Sequence, residues 1–452
     1  MVIFREEKKN AKEIEEISWD GYEHTVYDIG FAVDIGTTTI AIAALDLKRK
    51  EVIGKVSYTN QQTTLGADVM MRIMHCQQGR GERLHNLVVE QIEQMAQELL
   101  LSYSEETSLK KCLFFVVGNT TMCHLFLGKD VTGLAGYPFR PAYEGNYRCL
   151  GRDIGMKEFL EAQIIVLSGI AAHVGSDALA VVGAEKLYQK DHIQLAVDLG
   201  TNAEIILNDR GKIYACSTAA GPAFEGKGIA CGMSAKEGAV SGVNISMGNG
   251  NLILQVIEGA RARGICSSGL VDALAQFRKC RLMQEDGYLL SEEEARTRGI
   301  SDALCRRLVM REKEHAFLLC KKEEAGREIY LKQSDIRNLQ LAKGAIQAGM
   351  ISLLEATGLS LESLDEFVVA GVLGSCVRTS SSIAIGLFPA MIADKLSFAG
   401  NAAGKGAIDG ILRKNFPEDM EKLAHQIIHI ELAQQAEFQE QLMRAMDFKS
   451  WL

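Results

Sequence analysis

The 452-residue chain contains no C-x-x-C pair, although it carries 11 cysteines. An odd number of widely scattered thiols excludes a regular disulfide framework. It also argues against a compact zinc or iron–sulfur site, whose ligands usually stand a few residues apart. Free thiols of this kind fit a reducing, cytoplasmic compartment. No apolar run approaches the roughly 18 residues of a membrane span. The opening Met1-Val2-Ile3-Phe4-Arg5-Glu6-Glu7-Lys8-Lys9 lacks the apolar stretch of a signal peptide. A basic excess is lacking too: 49 Lys and Arg face 58 Asp and Glu, a net charge of −9, so no nucleic-acid partner is expected. Proline numbers only 5 and aromatics 6%, while glycine reaches 43, which points to tight turns and backbone-lined sites rather than linkers. With 47% hydrophobic and 24% charged residues the chain is globular, and its length suggests about three folding units.

Residues 1–30 read as an N-terminal appendage, with a short helix at Lys8–Ile17 and an irregular lead-in from Trp19 to Tyr27. At Phe31-Ala32-Val33 a buried strand begins and runs into Asp34-Ile35-Gly36-Thr37-Thr38-Thr39. Apolar alternation through Ile40, Ile42 and Ala44, a polar turn at Lys48-Arg49-Lys50 and a return at Val52–Val56 make this a β-hairpin. The design recurs: Leu195-Ala196-Val197, then Asp198-Leu199-Gly200-Thr201-Asn202, then Ile205-Ile206-Leu207, a turn at Asn208–Gly211 and Lys212-Ile213-Tyr214. Two similar α/β lobes are the simplest reading, lobe I over 31–190 and lobe II over 191–415, with an insertion near 278–330 and a helical tail over 416–452. Helical periodicity marks Leu84–Leu101, Leu270–Phe277 and Asp335–Ala356, and strands are expected at Leu113–Val117 and Glu366–Ala370.

One D-x-G-T turn is a weak signal; two at the mouths of similar hairpins are a stronger one. Gly36 and Gly200 permit a turn that a side chain would block, and successive backbone N–H groups there can form an anion nest. Thr37, Thr38, Thr201 and Asn202 add polar groups. Asp34 and Asp198 cannot bind phosphate directly and would instead hold Mg²⁺ or its waters. Three further carboxylates stand near these turns or in glycine-containing segments: Asp177, which suits a helix N-cap, Glu204 and Glu225.

The paired D-x-G-T loops, with a late strand ending in Ala370-Gly371-Val372-Leu373-Gly374 and then Phe398-Ala399-Gly400-Asn401, resemble the superfamily of actin, hexokinase and the heat-shock chaperone ATPases (ASKHA). The match narrows at Tyr58-Thr59-Asn60-Gln61-Gln62, Gly66-Ala67-Asp68-Val69-Met70-Met71-Arg72-Ile73, Gly118-Asn119-Thr120-Thr121-Met122-Cys123-His124, Ala220–Gly226, Gly264–Leu270 and Asp335–Lys343. These segments resemble the reductive activators of corrinoid-dependent enzymes over residues 31–410. The resemblance implies two actin-like, ribonuclease H-like lobes with a nucleotide cleft between them, and ATP with Mg²⁺ as cofactors. It implies that Gly371, Gly374, Gly400 and Asn401 form an adenosine loop, and that one acidic residue, Asp177, Glu204 or Glu225, orients the attacking water. It also implies an ATP-dependent activase that returns Co(II) to Co(I) on a corrinoid protein or corrinoid methyltransferase, acting as a possible homodimer. Relatives usually carry their own iron–sulfur module. Here residues 1–30 hold no Cys and the last is Cys376, so no cluster is expected from this chain and a separate ferredoxin-like donor would supply the electron. Val372 and Leu373 depart from the family's glycine-richer loop, and Ser267 stands where Gly is usual.

Gly221–Gly228 mimics a P-loop, but Gly228 replaces the required hydroxyl and Pro222 removes a donor. His75-Cys76 and Cys123-His124 are adjacent pairs whose side chains diverge on a helix, so packing is the simpler reading. The basic residues from Arg306 to Lys322 are interleaved with Glu and read as a solvated face. Two other functions fit the same clamp: a small-molecule kinase, or a non-catalytic nucleotide-binding partner protein.

Overall fold

The computed structural model describes residues 26–103, 111–259, 261–371, 377–449 and 451. The helix expected at Lys8–Ile17, and Gly374 with its neighbours Val372 and Leu373, lie outside the described residues.

Lobe I opens with an antiparallel meander, β1 (Ile29–Ile35), β2 (Thr39–Asp46) and β3 (Glu51–Thr59). Two helices follow, α1 (Val69–His75) and the amphipathic α2 (Gly81–Tyr103), which buries Leu84, Val88, Ile92, Met95 and Leu99. Then come β4 (Cys112–Gly118), α3 (Thr120–Phe126), β5 (Tyr147–Leu150), β6 (Gln163–Val166) and α4 (Ser176–Ala184). The sheet order is β3-β2-β1-β4-β6-β5, with β4 parallel to β1 and β6 parallel to β4. β1 and β4 are buried along almost their whole length because helices cover both faces, which is why they read as unbroken apolar runs rather than alternating ones.

Lobe II repeats the plan. β7 (Ile193–Leu199), β8 (Ala203–Asp209) and β9 (Lys212–Thr218) form the meander. A small sheet of β10 (Ala239–Ile245), β11 (Leu252–Val256) and β12 (Gly264–Ile265) leads to α5 (Ser267–Lys279). The charged segment contains α6 (Glu292–Thr297), α7 (Asp302–Cys305), α8 (Lys322–Ala325) and a second small sheet, β13 (Leu308–Arg311), β14 (Glu314–Cys320) and β15 (Ile329–Lys332). After α9 (Gln333–Thr357), β16 (Glu366–Ala370) pairs parallel to β7. α10 (Thr379–Ala384) and β17 (Leu396–Gly400) follow, then α11 (Ala402–Leu412), α12 (Phe416–Ala424), β18 (Ile428–His429) and α13 (Phe438–Ala445). Read from β9 to β17, the order β17-β16-β7-β8-β9-β18 reproduces five of the six strands of lobe I, β3 to β6; only one edge strand differs, β5 beyond β6 in one lobe and β18 beyond β9 in the other.

The lobes share one core. Ala32, Ala43, Phe115 and Val117 of lobe I and Ala196, Ile206, Ala215 and Val368 of lobe II enclose α4 and α11 in a single apolar cluster. Small residues let these helices nest. A Cβ at Gly406 of α11 would stand 2.3 Å from the Ala180 carbonyl of α4, and one at Gly410 would strike the Phe115 ring at 2.2 Å. Phe115 is fully buried there, a side chain whose burial is worth roughly 2–3 kcal/mol. The C-terminal ends of β1, β4 and β6 therefore face those of β7 and β16 across a cleft, the place where open parallel sheets bind ligands.

Candidate functional site

Asp34 and Asp198 occupy equivalent places, the next-to-last residues of β1 and β7. The repeat is not strict. Asp34 pairs with Ala41 across its hairpin but Asp198 pairs with Glu204, and the second turn is one residue shorter. That shortening places the Glu204 carboxyl beside the second aspartate, where lobe I has only a methyl.

Asp177 joins them from α4. Gly175 is the N-cap of that helix, so Asp177 is its second residue; its Oδ1 accepts the Ala178 N–H at 2.9 Å. Burial pushes the Asp34 carboxyl up to about 8, with repulsion from Asp177 and Asp198 adding and a hydrogen bond from Asn401 opposing. Burial and then Asp177 raise Asp198 to about 7. Burial raises Asp177 to about 6 against the pull of backbone N–H groups. Glu204 is raised by burial first, then by Asp177 and Asp198, while the Ser217 hydroxyl donates to it at 3.3 Å. Four carboxyls thus crowd one cleft, a charge balance that favours a bound cation. Among the described residues no three His, Cys, Asp or Glu side chains converge closely enough to cage a metal. One or two carboxylates per ion suits Mg²⁺, which keeps waters and phosphate oxygens in its shell.

The two turns touch. Thr38 Oγ1 and Thr201 Oγ1 are 2.8 Å apart, and the Thr201 hydroxyl donates to Glu225 Oε1 at 2.6 Å. Glu225 Oε2 is buried without a partner. The three water-orienting candidates therefore separate: Asp177 and Glu204 join the aspartates, and Glu225 joins the threonines. Gly200 N–H bonds the Asn202 carbonyl at 3.1 Å, and Gly221 N–H bonds the Thr201 carbonyl at 2.8 Å, tying the glycine-rich loop to the second turn. Gly36 N–H closes the first turn on the Thr39 carbonyl at 2.9 Å.

Gly371 and Gly400 are brought together by the Gly371 N–H bond to the Gly400 carbonyl, 2.8 Å. Gly371 has φ +87°, and a Cβ there would lie 2.5 Å from the Leu199 carbonyl and 2.9 Å from Asp198 Oδ1. Only glycine lets β16 leave so close to the aspartate. Asn401 caps α11 by accepting the Gly404 N–H at 2.8 Å, and its carboxamide also bonds Asp34. A residue expected at an adenosine loop thus reaches the carboxylate of the opposite lobe.

Several residues were not singled out as site residues by the sequence. Asn60 is fully buried; its Nδ2 donates to the Gly36 carbonyl at 3.0 Å and its N–H to the Thr38 carbonyl at 2.9 Å. Arg72 donates to the Thr37 carbonyl. Lys227, part of the P-loop mimic, reaches from lobe II to the Thr38 carbonyl at 3.5 Å. Their signal was present only as motif: Asn60 and Arg72 stand in segments that carry the family resemblance, but polar residues of this kind look like surface groups until the fold buries them.

Comparison with known proteins identifies the family of the chain. Residues 192–451 match the family described as the C-terminal domain of RACo, the ASKHA domain, and residues 29–190 match the RACo middle region. The corrinoid activation enzyme RamQ of Eubacterium limosum is 30% identical over 426 residues, covering 93% of this chain and 70% of that protein. A [Co(II) methylated amine-specific corrinoid protein] reductase of Methanosarcina barkeri is 26% identical over 432 residues, 88% of this chain and 72% of that one. The solved structure of a reductive activator for corrinoid, iron–sulfur protein superposes with a TM-score of 0.85 at 30% identity, over 94% of this chain and 67% of that one.

Proposed function

The chain belongs to the RACo family, and on that premise we propose that it is an ATP-dependent reductive activator that returns a corrinoid protein or corrinoid methyltransferase from Co(II) to Co(I). The observation that carries the reading is the pair of touching D-x-G-T turns backed by four carboxyls in the cleft between two duplicated lobes. The names of the relatives supply the corrinoid partner; the cleft supplies the nucleotide.

In this reading the N–H groups of Thr37, Thr38 and Thr201, with the Thr37 hydroxyl, hold the phosphates. Asp34 and Asp198 would hold Mg²⁺, which neutralises phosphate charge when bound. Asp177, Glu204 or Glu225 orients the attacking water. Gly371, Gly400 and Asn401 line the nucleoside side. A nucleotide that touches both lobes binds their closed arrangement best and shifts the population towards it, and this closure presents the partner with a different surface. One electron, from a separate ferredoxin-like donor, reduces Co(II) to Co(I).

The test is anaerobic. Protein, ATP, a low-potential donor and a corrinoid protein should give the Co(I) absorbance, and Asp198→Ala should give none while remaining folded. Absence of Co(I) with the unaltered protein refutes the activity; unchanged hydrolysis in Asp198→Ala refutes the clamp. One observation favours a small-molecule kinase instead: a cavity of about 340 Å³, lined by Thr120, Cys123, His124, Tyr143 and Ser176, reaches the residue next to Asp177. Phosphorylation of an added small alcohol would favour that alternative.

A further inference from the structure

Arg72 is fully buried, 0% exposed. It lies on α1, a helix started by Asp68, whose side chain accepts the Met71 N–H at 2.8 Å. The guanidinium is spent on neutral acceptors. Nε donates to the Gly66 carbonyl at 3.0 Å, Nη1 to Gln62 Oε1 at 3.0 Å and Nη2 to the Thr37 carbonyl. No carboxylate among the described residues pairs with it; Asp68 and Glu225 act on it only from a distance. A buried cation without an ion pair is costly and calls for an anion nearby.

Its hydrogen bonds show where that anion belongs. The carbonyls of Gly36 and Thr37 are held by Asn60 Nδ2 and Arg72, both from the interior of lobe I. A trans peptide points its N–H opposite to its C=O. Tying back the Gly36 and Thr37 carbonyls therefore turns the Thr37 and Thr38 N–H groups outward, and neither meets a protein acceptor among the described residues. One peptide unit separates the guanidinium from the Thr38 N–H.

We infer that Arg72 is the positioning residue of the first phosphate turn: it fixes the Thr37–Thr38 peptide that presents the Thr38 amide, beside the Gly36–Thr37 peptide that Asn60 holds, and supplies, from beneath, the positive charge that a polyphosphate neutralises. The inference rests on the nucleotide reading above. It is distinct from a structural pin, which would tie α1 to the turn without acting on a ligand. The charge is the discriminating property, and Gln62 gives access to it. Gln62 is itself fully buried and accepts from Arg72 through Oε1. Gln62→Glu keeps the side-chain size, replaces the Nε2 bond to the Leu84 carbonyl by a carboxylate oxygen facing it, and pairs a negative charge with Arg72 that offsets its field, with thermal melts reporting the structural cost.

The experiment measures ATP and adenosine binding by calorimetry at several salt concentrations for the unaltered protein, Arg72→Gln and Gln62→Glu, with thermal melts of each. ATP affinity should fall at least tenfold in both variants, its salt dependence should flatten, and adenosine affinity should stay within twofold. Gln62→Glu decides the matter where Arg72→Gln is not recovered folded. ATP binding by Gln62→Glu equal to that of the unaltered protein overturns the inference, as does a parallel loss of adenosine. An unaltered protein that binds neither ligand overturns the nucleotide reading itself, and the role of Arg72 with it.

Discussion

Thr38 of lobe I donates its hydroxyl proton to Thr201 of lobe II across 2.8 Å and 163 residues of sequence. The direction follows from counting protons. Thr201 has one, and it goes to Glu225 Oε1 at 2.6 Å, so Thr38 must be the donor of the other bond. The two phosphate-type turns are thus closed on each other by a Thr–Thr–Glu relay. A double-mutant cycle with Thr38→Ala and Thr201→Ala, followed by chemical denaturation without nucleotide, should give a coupling of about 1 kcal/mol. A coupling of zero would mean that the turns do not hold each other in solution.

Asp198→Asn should separate chemistry from stability. The amide keeps the shape but cannot carry the charge that a cation needs, so ATP turnover should drop about 100-fold or more. Removing one of four mutually repelling carboxyls should leave the melting temperature unchanged or raised. A variant that turns over normally, or that melts several degrees lower, contradicts the crowded-carboxylate picture.

Gly371→Ala should abolish nucleotide binding and destabilise lobe II by roughly 1–3 kcal/mol, since it forces a Cβ against the Leu199 carbonyl at a positive φ. Gly358, which ends α9 at φ +67° with nothing within 4 Å of an added Cβ, is the control. Gly358→Ala meets only the backbone penalty and should retain full ligand binding. Equal behaviour of the two variants would remove the special status of the Gly371 approach to Asp198.

Protonation of His124 should weaken the fold in mild acid. Its Nε2 accepts the Ala142 N–H at 3.0 Å, so Nδ1 carries the proton and donates to the Thr120 carbonyl at 2.7 Å. Burial lowers its pKa below the ordinary 6.5. The unfolded chain therefore binds the proton more readily than the folded one, and stability fully present above pH 6.5 is lost progressively as pH falls from there through the lowered folded value. Between pH 7.5 and 5.5 the unaltered protein should lose more stability than His124→Gln, measured by denaturant midpoint. Parallel curves would show that His124 does not titrate differently in the two states.

Much of this arrangement is legible without coordinates. Asp34 and Asp198 announce themselves because each follows a buried apolar strand and precedes a glycine turn, a purely local pattern that occurs twice. Glu366–Ala370 forms the expected strand residue for residue, and the long helix expected at Asp335–Ala356 runs from Gln333 to Thr357. Contacts that join distant segments are not legible in this way. Asn401 reads as part of a nucleoside loop, yet its partner is Asp34, on the far side of the cleft. Nothing in Arg72 or Asn60 alone distinguishes a buried buttress from a surface polar group.

The sequence by itself determined the duplicated hairpins, the two glycine turns and the family, because strand periodicity, turn chemistry and motif spacing act over a few residues. Tertiary structure alone decided which carboxyls crowd together and that Thr38 meets Thr201. Those relationships depend on α4 and α11 nesting between two sheets, and that packing is a sum of many weak, non-directional contacts with no local signature in the chain.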